Sequence, residues 1–173
     1  MTTATAAPAA APAAARAFRD TMGAFATGVT VLTTGPPPDV HAMTANAITS
    51  VSLDPMLVLA CVGRATAVAA RLAAGDGPFV VNVLADDQHR LADWFAGRAV
   101  DRPEIRFVPW TGGSRLAGGV AAIACEQEAW HDGGDHRIVV GRVVALHRAV
   151  GAGEPLVFFG AAYRRLAGPT AGP

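Results

Sequence analysis

Between Met43 and Pro55 the chain reads Met43-Thr44-Ala45-Asn46-Ala47-Ile48-Thr49-Ser50-Val51-Ser52-Leu53-Asp54-Pro55, then enters the apolar run Met56-Leu57-Val58-Leu59-Ala60-Cys61. Hydroxyl and amide side chains next to a core must find hydrogen-bond partners. Ala45 and Ala47 alternate with Thr44 and Asn46, so a flat molecule could approach the backbone closely. One with carbonyls and ring nitrogens along its edge would satisfy such a surface, and an isoalloxazine ring is a candidate. A Ser/Thr-rich turn that holds nothing is the other reading of these residues.

Two further places could do chemistry. Arg64 and Thr66 open a short helical pattern, where a phosphate would meet a guanidinium, a hydroxyl and free helix N–H groups; an ordinary exposed arginine is the alternative. His136 follows Gly133-Gly134-Asp135 and enters a β-rich run. The neighbouring His131, Asp132, Asp135 and His136 do not have standard metal-ligand spacing, so no metal is expected. His41, His89 and His147 read as scattered surface or strand-edge residues.

The elements that must position these residues are mostly strands. Phe18, Met22 and Phe25, at i, i+4 and i+7, suit a short amphipathic helix that Gly28 ends. Val29–Thr34 is β-branched enough for a strand, 35–39 is a Pro/Gly turn, and Val40–Thr44 returns. Met56–Val62 is a core strand, Thr66–Ala74 a short helix, and Phe79–Leu84 a third core strand. Asp86 is expected to cap a helix running to Phe95, with Leu91, Trp94 and Phe95 inward. Residues 97–118 read as irregular. Val120–Trp130 and His136–Arg148 form a long hairpin with its tip at 131–135, and Pro155–Phe159 is a last strand. Many strands, few helices and no βαβ rhythm favour a mainly β fold, an antiparallel closed barrel with helical insertions.

The 173 residues suffice for one domain with a real core; 51% are hydrophobic and 16% charged, which points to a compact fold. A formal net charge of zero with no basic cluster disfavours nucleic acid and anionic membranes. No apolar run reaches spanning length, and the Ala/Pro start has no basic flank or Leu-rich segment like a secretory signal. Cys61 and Cys125 lack ligand spacing and read as reduced, buried thiols, which fits a cytoplasmic protein. Residues 1–16 are read as a disordered Ala/Pro-rich tail, 17–167 as the domain, and 168–173 as a flexible end. No internal repeat, GxGxxG or Walker pattern is present, so any nucleotide must bind otherwise.

Several of these segments together resemble the flavin reductase family that supplies reduced flavin to two-component monooxygenases. The matching pieces are Phe18-Arg19-Asp20, Phe25-Ala26-Thr27-Gly28-Val29-Thr30, Met43-Thr44-Ala45-Asn46 through Ser50-Val51-Ser52-Leu53-Asp54-Pro55, and Phe79-Val80-Val81-Asn82-Val83-Leu84. Gly134-Asp135-His136, Gly141-Arg142-Val143, Pro155-Leu156-Val157-Phe158 and Tyr163-Arg164-Arg165-Leu166 complete the set. Their order and spacing carry the resemblance, over about residues 17–167.

The resemblance implies an FMN-binding split β-barrel of Greek-key type and a homodimer with flavin at or near the interface. It implies FMN or FAD as flavin, and NADH or NADPH as electron donor bound without a Rossmann domain. A separate monooxygenase would receive the reduced flavin by diffusion. The implied flavin residues are Thr30, Thr44, Ala45, Asn46, Ser50, Ser52, Cys61, Arg64, Thr66 and Asn82; the implied NAD(P)H residues are Gly134, Asp135, His136, Tyr163 and Arg164. The family often carries Ser-Phe after the Asn and Pro-Pro before the strand, where this chain has Ala47-Ile48 and Pro55-Met56. No acid–base residue is required, because the cofactors carry a hydride transfer and the protein supplies orientation; His136 is the nearest candidate. A flavin-binding module without nicotinamide turnover, and an oxidase of the related pyridoxamine-phosphate oxidase barrel, are the competing classes. Retention of Gly134-Asp135-His136 favours the reductase.

Overall fold

The computed structural model describes residues 12–75, 77–151, 153–166 and 168. Helix α1 spans Pro12–Met22, followed by strands β1 (Thr27–Gly28), β2 (Thr30–Thr34), β3 (His41–Ala45), β4 (Ile48–Leu53) and β5 (Met56–Gly63). Helix α2 (Ala67–Ala73), β6 (Phe79–Val83) and α3 (His89–Phe95) come next. The chain finishes with β7 (Phe107–Trp110), β8 (Gly113–Leu116), β9 (Ala121–Gly133), β10 (His136–Arg148), β11 (Val157–Phe159) and β12 (Ala162–Arg164).

The protein is mainly β. Its principal sheet has seven strands in the order β3-β2-β6-β9-β10-β5-β4, every pair antiparallel. No ladder joins the edge strands β3 and β4 among the described residues. Yet only Asn46 and Ala47 separate them in sequence, which limits Ala45 and Ile48 to about 11 Å between Cα atoms. The end of β3 and the start of β4 therefore lie close together, although the two strands share no ladder. Long strands β9 and β10 link the two halves of the sheet, since the first half of β9 pairs with β6 and the start of β10 pairs with β5.

Central strand β6 explains why the fold reads so well there. Phe79, Val80, Val81 and Asn82 are all buried, as a strand covered on both faces requires. One core packs Leu32, Ala45, Val58, Val62, Leu72 and Phe79 under α2, and a second packs Val29, Val31, Leu84, Ala92 and Leu116 beside α3. Strand β3 lies between them, sending Met43 and Ala45 to the first core and Ala42 toward the second.

Several elements differ from the sequence expectation. Helix α1 begins at Pro12, inside the segment assigned to the tail, with proline at the first helical position where its missing N–H costs nothing. Asp86 does not cap α3. The chain first makes a bridge at Ala85–Pro155 and a turn, so the cap position falls on Gln88, whose Oε1 accepts the N–H of Ala85 at 3.0 Å. Residues 97–118 contain the β7–β8 hairpin, and β12 follows β11 where one strand was expected. The tip of the β9–β10 hairpin is tighter than 131–135: only Gly134 and Asp135 lie between the paired Gly133 and His136, with Gly134 at φ +70°.

Candidate functional site

Thr30 shows why the polar segment begins where it does. Its buried hydroxyl donates to the carbonyl of Ala45 at 2.6 Å, across the β2–β3 ladder in which the two residues face each other. Thr30 therefore sets the end of β3 and has no hydroxyl proton left for a ligand. Thr44 behaves alike, donating to the carbonyl of Ala92 in α3 at 2.6 Å. Ala45 is buried, while Asn46 and Ala47 emerge into solvent. The Asn46 amide donates to the hydroxyl of Thr27 at 3.3 Å, and the carbonyl of Ala47 accepts the N–H of Cys61 at 3.0 Å.

Strand β4 is the outer edge of the sheet, so one row of its backbone groups faces away from the ladder. Ser50 is exposed on it, and Ser52 accepts the N–H of Asp54 at 3.2 Å. The register slips between them, leaving Val51 as the extra residue of a bulge; bulges re-aim side chains at sheet edges and beside sites.

At the end of β5 the chain turns past His136. Gly63 faces His136 in the β5–β10 register. The Thr66 hydroxyl donates to the Gly63 carbonyl at 2.9 Å, accepts the N–H of Ala69 at 3.1 Å as the cap of α2, and lies 3.6 Å from the sulfur of Met43. Arg64 is turned to the hairpin tip: Nε donates to the carbonyl of Gly134 at 2.7 Å, and a terminal nitrogen contacts Asp132 Oδ1 at 2.8 Å. Where a phosphate was expected to meet Arg64 and Thr66, both side chains already have protein partners.

Charge at the tip is locally balanced. The hydrogen bond from Arg64, then the nearby Arg137 and Arg64 charges, hold the Asp132 carboxyl below the usual carboxylate range. Asp135 is likewise lowered, chiefly by its 2.7 Å contact with His136 Nδ1. Burial pushes the Cys61 thiol up and the Cys125 thiol up to about 12. Neither presents a thiolate, which fits their reading as small hydrophobes. Cys61 is half-buried on β5 opposite Ile138. No group of three His, Cys, Asp or Glu residues suited to a metal exists among the described residues.

Asn82 needs correction. It is 1% exposed; its amide nitrogen donates to the Val31 carbonyl at 2.9 Å and contacts Thr33 Oγ1 at 3.1 Å, and its oxygen accepts the N–H of Leu116 at 2.8 Å. It is a clamp between β2, β6 and β8 with no face for a cofactor. Tyr163 and Arg164 lie on β12, beside α3. Tyr163 donates to Asp93 Oδ1 at 2.8 Å and packs at 5.7 Å against Phe158, in the second core. With Asp86, His89, Leu156 and Arg165 the two line a cavity of about 190 Å³.

Two groupings emerge. Met43, Gly63, Arg64, Thr66 and the Gly134–His136 tip form one. Asn46, Thr27, Phe158 and Tyr163 form the other, a row across the ladders of β1, β11 and β12. The end of β3, continuing into Asn46, joins them. Gly63 and Asp93 were not singled out from sequence, and Met43 and Thr27 appeared only within longer segments, without a role; the signal at Gly63 was a glycine ending an apolar strand. A cavity of about 540 Å³ lies elsewhere, between the end of α2 and residues 126–130 of β9.

Known proteins sharpen the picture. Residues 22–167 match the family described as flavin reductase like domain. The chain is 40% identical over 152 residues to an NADH-dependent flavin reductase of Rhodococcus sp, covering 86% of this chain and 85% of that protein. It is 36% identical over 154 residues to the reductase component of 4-hydroxyphenylacetate 3-monooxygenase from Thermus thermophilus, covering 89% and 98%. A solved NADH:FAD oxidoreductase of Streptomyces globisporus, in complex with NAD and FAD fragments, superposes with a TM-score of 0.81 at 38% identity, covering 94% of this chain and 98% of that one. With the match running from the end of α1 through β12, the chain belongs to the flavin reductase like family.

Proposed function

We propose that this protein is an NAD(P)H:flavin oxidoreductase that reduces FMN or FAD and releases it to a separate flavin-dependent monooxygenase. The observation that carries the reading is the meeting of two segments: Gly63 at the end of β5 is flanked by its ladder partner His136 and by Thr66, whose hydroxyl lies 3.6 Å from the sulfur of Met43 in the polar strand. Family membership and the NADH-dependent reductases among the relatives support it.

The residues present suit a flavin. Asn46 and Ser50 offer neutral, exposed hydrogen-bonding groups next to small Ala45 and Ala47, which is the donor chemistry a ring of carbonyls and nitrogens needs. In this reading Ala45, Asn46, Ala47 and Ser50 hold the ring edge, Ser52 and Thr66 lie toward its tail, and Gly134, Asp135 and His136 meet the nicotinamide nucleotide. When bound, the two cofactors supply the redox chemistry themselves, a hydride passing from nicotinamide to flavin. Thr30 and Thr44 fix the strand that supports the ring, and Asp135 orients the His136 imidazole. Orientation of this kind is worth up to about 7–11 kcal/mol in favourable intramolecular reactions.

The reading includes a split barrel closed near Asn46–Ala47, with 17–167 as its domain, and a homodimer. Phe18, Met22 and Phe25 are 68%, 51% and 70% exposed and Leu53 is 90% exposed, an apolar surface that a second copy would cover. A cytoplasmic location accords with two free cysteines, and no described helix is long and apolar enough to cross a membrane.

The test is NADH consumption by purified protein before and after adding FMN or FAD, followed by gel filtration of the mixture. The reading expects turnover only with flavin, and flavin that separates from the protein. Flavin retained through denaturant titration would count against a diffusible carrier.

A further inference from the structure

We propose that Arg64 is a positioning residue for the nicotinamide side of the site: it fastens the β9–β10 tip, and with it His136, to the end of β5. The functional half of this inference rests on the reading of that tip as the nicotinamide contact.

Three hydrogen bonds converge on the tip from one residue. The backbone N–H of Arg64 donates to the carbonyl of Asp135 at 3.1 Å, Nε to the carbonyl of Gly134 at 2.7 Å, and a terminal nitrogen to Asp132 Oδ1 at 2.8 Å. Gly134 and Asp135 are the two turn residues, so both turn carbonyls end on Arg64. Asp132 is also held by Arg137 at 2.9 Å, and Asp135 holds His136 at 2.7 Å. The chain of contacts therefore runs Arg64, turn, Asp135, His136 imidazole.

The backbone ladder stops at the pair His136–Gly63, and Gly134 at φ +70° has no Cβ to restrain it. Beyond that pair, the Arg64 side chain supplies the only side-chain hydrogen bonds between residues 63–66 and the tip among the described residues. The Arg64 fork is directed at a carbonyl and a carboxylate on different residues, which a planar guanidinium reaches and a single ammonium does not.

The experiment compares Arg64→Lys, Arg64→Ala, Asp132→Asn and the Arg64→Ala/Asp132→Asn double variant. Amide hydrogen exchange of residues 133–137 is measured with no ligand present, and KM for NADH, kcat and the flavin dissociation constant are measured separately. Expected for both Arg64 variants are faster exchange at the tip and a rise in KM for NADH of roughly three- to tenfold, as for an exposed charge-assisted contact. Flavin affinity should hold within about twofold, and the double variant should be little worse than Arg64→Ala alone. Unchanged tip exchange would overturn the proposal. So would an Arg64→Lys protein with normal KM for NADH, or lost flavin affinity with KM intact, either of which marks a simple phosphate ligand. If the wild-type protein fails to reduce flavin with NADH, the functional reading falls, while the exchange data still decide whether Arg64 holds the tip.

Discussion

Gly63 stands across the β5–β10 ladder from His136, and a Cβ added at Gly63 would lie 3.5 Å from Cγ2 of Thr66 and 4.0 Å from Nε2 of His136. The glycine thus leaves the imidazole edge open at the place where the helix cap, the Met43 strand and the hairpin tip meet. Sequence separates these three by as many as 93 positions (Met43 to His136); the antiparallel pairing of β5 with β10 removes that distance.

His136→Ala should weaken NADH and spare flavin. Losing a hydrogen bond costs about 0.5–1.5 kcal/mol when neutral and about 1.5–3 kcal/mol when one partner is charged, so KM for NADH should rise from several-fold to about a hundredfold. Separate titrations of flavin and NADH against the variant check this. Flavin binding lost with NADH kinetics unchanged would assign this histidine to the other cofactor.

Gly141→Ala should destabilise the fold without touching the site. A Cβ there would lie 2.4 Å from Cζ of Phe79 and 2.8 Å from Cβ of Cys125, both fully buried. The Phe79 ring must turn within a packed core, and overpacking of this kind costs about 1–3 kcal/mol. A denaturant melt of the variant would reveal the loss, and Gly141→Ala combined with Phe79→Leu should recover part of it.

Asn82→Ala tests the reassignment of this residue from cofactor ligand to clamp. The buried N–H of Leu116 would lose its acceptor, at a cost of about 1–3 kcal/mol for the orphaned group. Chemical denaturation should show that loss, while flavin affinity of the folded fraction stays at the wild-type value. A stable variant with weakened flavin binding would restore the ligand reading.

How far the sequence alone reached is visible in these same residues. Strand β5 was legible as an apolar run from Met56 to Val62, and β6 as a β-branched and aromatic run interrupted only by Asn82. The hairpin leading into His136 was legible because consecutive glycines mark a tight turn. Asn82 misled, since an amide within a core strand looks the same whether it meets a cofactor or the β8 backbone. The β7–β8 hairpin was hidden by Pro109 and by the glycines at its turn, and β12 by its length of three residues. Arg64 shows the limit most plainly. Its partner, the Gly134 carbonyl, is 70 positions away and carries no side-chain signature.

The chain has a single tyrosine, which makes its titration directly readable. Burial first, then the hydrogen bond to Asp93, pushes the Tyr163 phenol up to about 12. A raised folded value means that the fold favours the protonated phenol. Its contribution is complete below about pH 10, the ordinary tyrosine value, and is lost as pH rises toward the folded value. Ultraviolet titration of the phenolate should show no ionisation near pH 10 in the native protein and ionisation there after denaturation. Native titration near pH 10 would mean that the Tyr163–Asp93 contact is not maintained in solution.

The most direct measurement of the central claim is anaerobic stopped-flow mixing of NADH with the protein and excess free flavin, followed at the flavin absorbance. The account predicts that several equivalents of flavin per protein chain are bleached in one mixing. It also predicts that the rate slows with NADH deuterated at the transferred position, and that added protein-free flavin is reduced as readily as flavin first present on the protein. Bleaching that stops at one equivalent per chain, or none at all with either FMN or FAD, would contradict it.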